Sequence, residues 1–128
     1  MENNALDSKS ILVIDDEQPI LNLLAKSLTK NGYAVDSAEN GEMGIEKIES
    51  NDYNLIFTDM RMPGLSGEEV LKHLRSMRKN LTPVVGMSGT PWLLEQIDFD
   101  AVLAKPFSME ELLNITKKLV KKKKDPAA

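Results

Sequence analysis

The stretch Leu12-Val13-Ile14-Asp15-Asp16-Glu17-Gln18 (12–18) decides the fold. A short apolar run, beginning at Ser10, ends abruptly in three adjacent carboxylates. A continuous run of this length suits a strand covered on both faces, the situation of a parallel sheet. Three like charges at the tip of such a strand repel one another, and clustered carboxylates are costly unless a cation neutralises them. The tip therefore needs a partner of positive charge.

The same pattern recurs along the chain. Ser10–Asp15 is followed by a helical stretch over 17–30, with Ile20, Leu21, Leu24 and Leu28 at helical spacing and Asn31-Gly32 as its stop. Residues 33–38 predict a shorter strand, and Asn40-Gly41 opens a helix carrying Ile45 and Ile48. Residues 53–59 predict a second buried strand, again ending in aspartate. Pro63-Gly64 and Gly67 mark a loop over 60–67. Ser66 with Glu69 forms a capping box for a helix whose stripe is Val70, Leu71, Leu74 and Met77. Residues 83–88 and 101–105 predict two further strands. A second capping box, Ser108 with Glu111, starts a last helix with Met109, Leu112, Leu113, Leu119 and Val120 on one face. Strands alternating with helices predict an α/β fold, a parallel sheet with helices on both faces.

The chain has 128 residues, the size of one domain, and can bury roughly two thirds of the surface its unfolded form exposes. It has no cysteine, which excludes disulfides and thiolate metal sites and suits a reducing compartment. The polar N-terminus lacks the pattern of a signal peptide, and no apolar run approaches the length of a membrane span. A cytoplasmic location, with no membrane contact, is the expectation. Net charge is −4; without residues 121–128 it is −7, from 12 basic against 19 acidic residues. So acidic a body is a poor general nucleic-acid binder, and none is expected. The expected organisation is a disordered segment 1–9, a domain over 10–120 and a lysine-rich tail over 121–128.

In open α/β sheets, ligands sit beyond the carboxyl ends of the strands. Here those ends deliver Asp15 and Asp16, Asp59, Ser88 and Lys105. Oxygen-only ligands without His or Cys favour a hard ion such as Mg²⁺, which leaves room for water and phosphate oxygens. A carboxylate beside that ion is a competent nucleophile toward phosphorus. Each residue also has a bland reading. Acids suit a helix start, Asp a turn, Ser a cap, and Lys a solvated surface. Their coincidence at successive strand ends argues against coincidence of four separate causes.

Asp15-Asp16, Asp59 with Met62-Pro63-Gly64 after it, Ser88, and Lys105-Pro106-Phe107 together resemble the receiver domain of two-component response regulators. The resemblance covers about residues 10–120. It implies a flavodoxin-like, doubly wound, five-stranded parallel sheet of order 2-1-3-4-5. It implies Asp59 as phosphoacceptor, served by a histidine kinase or phosphotransfer protein through its phosphohistidine. Asp15, Asp16, Asp59 and the backbone carbonyl of Arg61 would hold Mg²⁺, with no organic cofactor. Ser88 would be the switch hydroxyl, Lys105 the phosphoryl partner, and the Lys105-Pro106 bond cis. Such a domain is not an enzyme in the usual sense, and its output partner, protein or attached domain, is unnamed by the sequence. A stand-alone receiver and a part of a longer regulator or hybrid kinase fit equally.

Two departures stand out. Lys105 stands only 17 positions after Ser88, so the family's fourth helix should be shortened or irregular, one or two turns around 92–97. The family's switch aromatic, three residues before the lysine, is Val102 here; Phe99 and Trp92 are the rings nearby. Arg61 and Thr90 occupy positions where the family tunes phosphoryl loss, and Arg61 is placed to shield the site or pair with Glu17. His73 is expected in solvent, and the methionines as core filler. Gly41 and Gly44 do not make a phosphate loop. The rivals are a non-switching interaction module and a Mg²⁺-dependent phosphohydrolase of the haloacid-dehalogenase type. The latter would carry its nucleophile on the first strand as Asp-x-Asp, which this chain lacks.

Overall fold

A computed structural model describes residues 9–77 and 81–122, with the side chains of residues 121 and 122 left aside. Five strands, β1 (Ser10–Ile14), β2 (Ala34–Ala38), β3 (Leu55–Asp59), β4 (Val84–Ser88) and β5 (Ala101–Ala104), form one sheet of order β2-β1-β3-β4-β5. Every pairing is parallel. The helices are α1 (Gln18–Lys30), α2 (Gly41–Ser50), α3 (Gly67–Arg75) and α4 (Met109–Lys122). The expected flavodoxin-like α/β sheet and its order are thus present.

Burial explains the unbroken apolar runs. Side chains alternate between the faces of a strand. Ile11, Val13, Leu55, Phe57, Val85, Met87 and Leu103 pack with Leu21, Leu24 and Leu28 of α1 and Leu112, Leu119 and Val120 of α4. Leu12, Ile14, Ile56 and Val84 face the other way, onto Ile48 of α2 and Val70, Leu71 and Leu74 of α3. Both faces are dry, so both sets must be apolar. The edge strands are less covered, and β2 accordingly carries the exposed Asp36 and Ser37.

Both capping boxes form. Ser66 Oγ accepts from Glu69 N at 3.2 Å while Glu69 Oε1 accepts from Ser66 N at 2.8 Å. Ser108 Oγ accepts from Glu111 N at 3.0 Å, and Glu111 Oε1 from Ser108 N at 2.8 Å. Gly41 and Gly44 serve close packing, as expected of residues outside any phosphate loop. A Cβ on Gly44 would sit 2.5 Å from Ile14 Cδ1, and one on Gly41 2.7 Å from Leu65 Cβ.

Between β4 and β5 the chain makes a single 3-10 turn, Pro91–Leu94, in place of a full fourth helix. The space over the sheet is filled instead by Phe99, whose ring lies 2.7 Å from where a Gly86 Cβ would be. Asp100 ties down the end of this crossover. Its Oδ2 accepts from Val84 N at 2.7 Å and from Arg75 Nη2 at 2.8 Å, while Arg75 Nη1 donates to Thr82 O at 2.9 Å.

Several expectations need correction. Met109 shares the stripe of Leu112 and Leu113 but is 38% exposed, as the first residue of α4. The methionines are mixed: Met87 and Met62 are buried, Met43 is exposed, and Met1 lies outside the described residues. His73 is not simply solvated, since its Nε2 lies 3.1 Å from Glu49 Oε2 across the α2–α3 contact. The expected disorder of 1–9 and the tail 121–128 fall largely outside the described residues. Lys9 is an exception, its carbonyl accepting from Ala34 N at 2.9 Å, and α4 runs on to Lys122.

Candidate functional site at the carboxyl ends of the strands

The site is built by where four strands stop. Asp15 follows β1, and its backbone N–H still donates to Ala38 O at 3.1 Å, so β1–β2 pairing fixes its position. Its side chain is completely buried. One carboxylate oxygen accepts from Glu17 N at 3.0 Å, and the other accepts from Lys105 Nζ at 2.8 Å. Asp16 is exposed. Asp59 closes β3 and is 7% exposed. Carboxylate oxygens of Asp15, Asp16 and Asp59 lie within 4.8 Å of one another.

Lys105 follows β5, and its backbone N–H donates to Ser88 O at 2.8 Å, continuing the β4–β5 ladder by one residue. That step carries the side chain back over the sheet. Its Nζ lies 2.8 Å from Asp15, 3.0 Å from Asp59 and 3.6 Å from Glu17. The positive partner demanded by the strand tip is thus in part this ammonium. The Lys105–Pro106 bond is cis.

Electrostatics follow from the burial. Loss of water pushes the Asp59 carboxyl up from 3.8 to about 6; the Lys105 hydrogen bond opposes the rise and the charges of Asp15 and Asp16 add to it. Burial works against the Lys105 ammonium, but its hydrogen bonds to Asp15 and Asp59 outweigh that and hold it above its ordinary value. One ammonium does not balance three clustered carboxylates. The donor set is all oxygen and hard, which fits a divalent cation such as Mg²⁺ better than a softer metal.

Ser88 ends β4 and is 6% exposed. Its hydroxyl is engaged within its own loop, accepting from Thr90 N at 2.9 Å and lying 3.2 Å from Thr90 Oγ1. Beside it opens a cleft of about 540 Å³ lined by Met60, Arg61, Met62, Ser88, Leu93 and Leu94 among others. Arg61 is exposed at its edge. Of the two expectations for Arg61, shielding the site or pairing with Glu17, the second is not met: Glu17 faces Lys105 instead, whose Nζ reaches from the end of β5 to between Asp15 and Asp59. The third acid of Asp15-Asp16-Glu17 was the sequence signal for this contact. Trp92, 63% exposed, is near the cleft in sequence but does not line it.

A family model described as the response regulator receiver domain matches residues 11–117. The transcriptional regulatory protein ResD of Bacillus subtilis is 35% identical over 117 residues, 88% of this chain and 48% of ResD. The response regulator ArlR of Staphylococcus haemolyticus is 33% identical over 108 residues, 80% of this chain and 48% of ArlR. The chain spans about half the length of these curated relatives. Among solved structures, response regulator TrrA of Thermotoga maritima, in complex with Mg²⁺-BeF, is 36% identical with a TM-score of 0.80, covering 87% of this chain and 98% of TrrA. A Francisella response regulator receiver domain is 31% identical with a TM-score of 0.83, covering 91% of this chain and all of the other.

Proposed function

The chain belongs to the response regulator receiver family of two-component systems, and from that premise we propose that it takes a phosphoryl group onto Asp59. The donor in this reading is a phosphohistidine of a histidine kinase or phosphotransfer protein. An Asp59 carboxylate oxygen forms the new bond to phosphorus as the phosphorus–nitrogen bond breaks, and the imidazole leaves with the bonding electron pair. Lys105 is already 3.0 Å from Asp59 and would pair with a phosphoryl oxygen. The Ser88 hydroxyl would donate to another. The carboxylates of Asp15, Asp16 and Asp59, with the Arg61 carbonyl, would hold Mg²⁺. When bound, that ion neutralises the carboxylates and the charge on the transferring group.

The observation that carries this reading is the single ammonium held between buried Asp15 and Asp59 beside an oxygen-only cluster. The relatives it matches are regulators. The output we propose is accordingly a change in protein–protein contacts, not turnover of an external substrate. Direct nucleic-acid contact by this domain is not part of the proposal, because its body is acidic. Among the described residues no helix is long and apolar enough to cross a membrane, and the site of action proposed is the cytoplasm.

The test is intact mass after incubation with phosphoramidate, with and without Mg²⁺, on wild type and Asp59→Asn. The expected result is one added phosphoryl group that requires both Mg²⁺ and Asp59. No gain in folded, Mg²⁺-binding protein would refute the proposal and favour a module that keeps the fold without switching. Steady multiple-turnover hydrolysis of a phosphomonoester would instead support the phosphohydrolase.

A further inference from the structure

Charge is unevenly placed on this molecule. Residues 18–30 and 112–124 hold eight lysines and no acidic residue. The rest of the chain carries 8 basic against 20 acidic residues, or −12. The two stretches are α1 and the body of α4 with the two residues after it, and both helices cover one face of the sheet. Leu24 and Leu28 of α1 share a buried cluster there with Leu112, Leu119 and Val120 of α4.

The two helices also finish at one pole. α1 carries the chain from the carboxyl end of β1 to the amino end of β2, and α4 leaves the carboxyl end of β5 and packs back along the sheet. Both therefore end at the amino ends of the strands, opposite the rim that holds Asp59. Lys9, also exposed, stands at that pole just before β1, its carbonyl accepting from Ala34 N at 2.9 Å. Lys26, Lys30, Lys117 and Lys118 are all exposed. None of them has an acidic partner among the described residues, whereas Lys72, Arg75 and Lys105 each have at least one. A lysine in the last turn of a helix offsets the partial negative charge of its free carbonyls, an effect confined to that turn. That accounts for Lys30. Lys26, Lys117 and Lys118 lie earlier in their helices, so the dipole does not explain them.

We propose that this lysine pole docks the domain on an anionic lipid surface, with the rim of Asp59 facing away from it. Near such a surface each lysine adds attraction, and the field falls off within a Debye length, about 8 Å at physiological salt. The acidic residues at the far rim are screened from it. The make-up of the pole selects lipid over nucleic acid. Residues 18–30 and 112–124 contain no arginine and no aromatic residue, and so lack the phosphate forks and stacking rings that nucleic-acid surfaces use. Leu23, 43% exposed, lies one helical turn before Lys26. An apolar side chain among lysines has a place at the boundary of headgroups and acyl chains and none on a sugar–phosphate backbone. Contact of this kind is peripheral and needs no spanning helix. It replaces the expectation of no membrane contact, which rested on the length of the apolar runs. It does not depend on the reading of Asp59 as phosphoacceptor.

The experiment is sedimentation of the full chain with vesicles of phosphatidylcholine alone and of an equal mixture with phosphatidylglycerol, at low and at physiological salt. The protein should bind the mixed vesicles only, and less as salt rises. At about fivefold per lysine, replacing Lys26 and Lys30 together by Gln should weaken binding about 25-fold, and so should replacing Lys117 and Lys118. The same pairs replaced by Arg should bind as wild type, and thermal unfolding should show all four variants folded. Absence of binding to the mixed vesicles, or equal binding to neutral ones, would overturn the proposal. So would full binding by the Lys26→Gln, Lys30→Gln variant, which would leave α1 out of the surface. Tighter binding to a labelled DNA duplex than to the mixed vesicles at the same salt would overturn it in favour of nucleic acid. None of these outcomes touches phosphoryl uptake, which intact mass reads separately.

Discussion

Replacing Asp59 by Asn should make the metal-free protein more stable. The Asp59 carboxyl titrates near 6 instead of 3.8, chiefly because it is buried, with Asp15 and Asp16 adding repulsion. At about 1.4 kcal/mol per unit, its ionised form carries a cost of about 3 kcal/mol. The mouth of the site is open to water and Lys105 keeps a second partner in Asp15, so screening leaves about 1–2 kcal/mol. For a domain of this size that is a rise in Tm of about 3–8 °C. The sign with pH follows from the raised value. Folding is free of the cost below 3.8, where both folded and unfolded forms hold the proton. The cost grows between 3.8 and about 6 and is complete above it. The assay is thermal and urea unfolding of both proteins in EDTA, from neutral pH down to about pH 5. The variant should lead at neutral pH, and its lead should shrink as pH falls through about 6. A variant no more stable than wild type at neutral pH, or a lead independent of pH, would show that Asp59 is not held under charge strain.

Three other outcomes are expected. Mg²⁺ should raise the Tm of wild type more than that of Asp16→Asn, since the ion stabilises the folded form by mass action and the variant removes one of its three grouped carboxylates. Gly67→Ala should lower stability in urea by about 2–4 kcal/mol, because the added Cβ meets the Asp59 carbonyl oxygen, a backbone atom that cannot move without moving the site. Ser108→Ala should cost about 1 kcal/mol by the same assay, since it removes the acceptor for Glu111 N at the start of α4 and leaves the phosphoryl chemistry intact.

The five strands, the four long helices and the rim of Asp15, Asp16, Asp59, Ser88 and Lys105 were legible in the sequence because their signals are local. An apolar run buried on two faces, a helical stripe and a capping box each lie within a few residues, and a strand's end in the sequence is its end in space. The shortened crossover was legible by counting from Ser88 to Lys105. What the tertiary structure alone decided are contacts between distant segments. Lys105 reaches Glu17, 88 positions away, because β5 and β1 deliver their ends to one mouth across β3 and β4. Phe99 covers Gly86 where the crossover between β4 and β5 makes only a 3-10 turn and no full helix. His73 meets Glu49 because α2 and α3 pack side by side. Periodicity states which face of an element is buried. What that face meets, and to which partner a hydroxyl or an ammonium commits, depends on how the layers are set against one another.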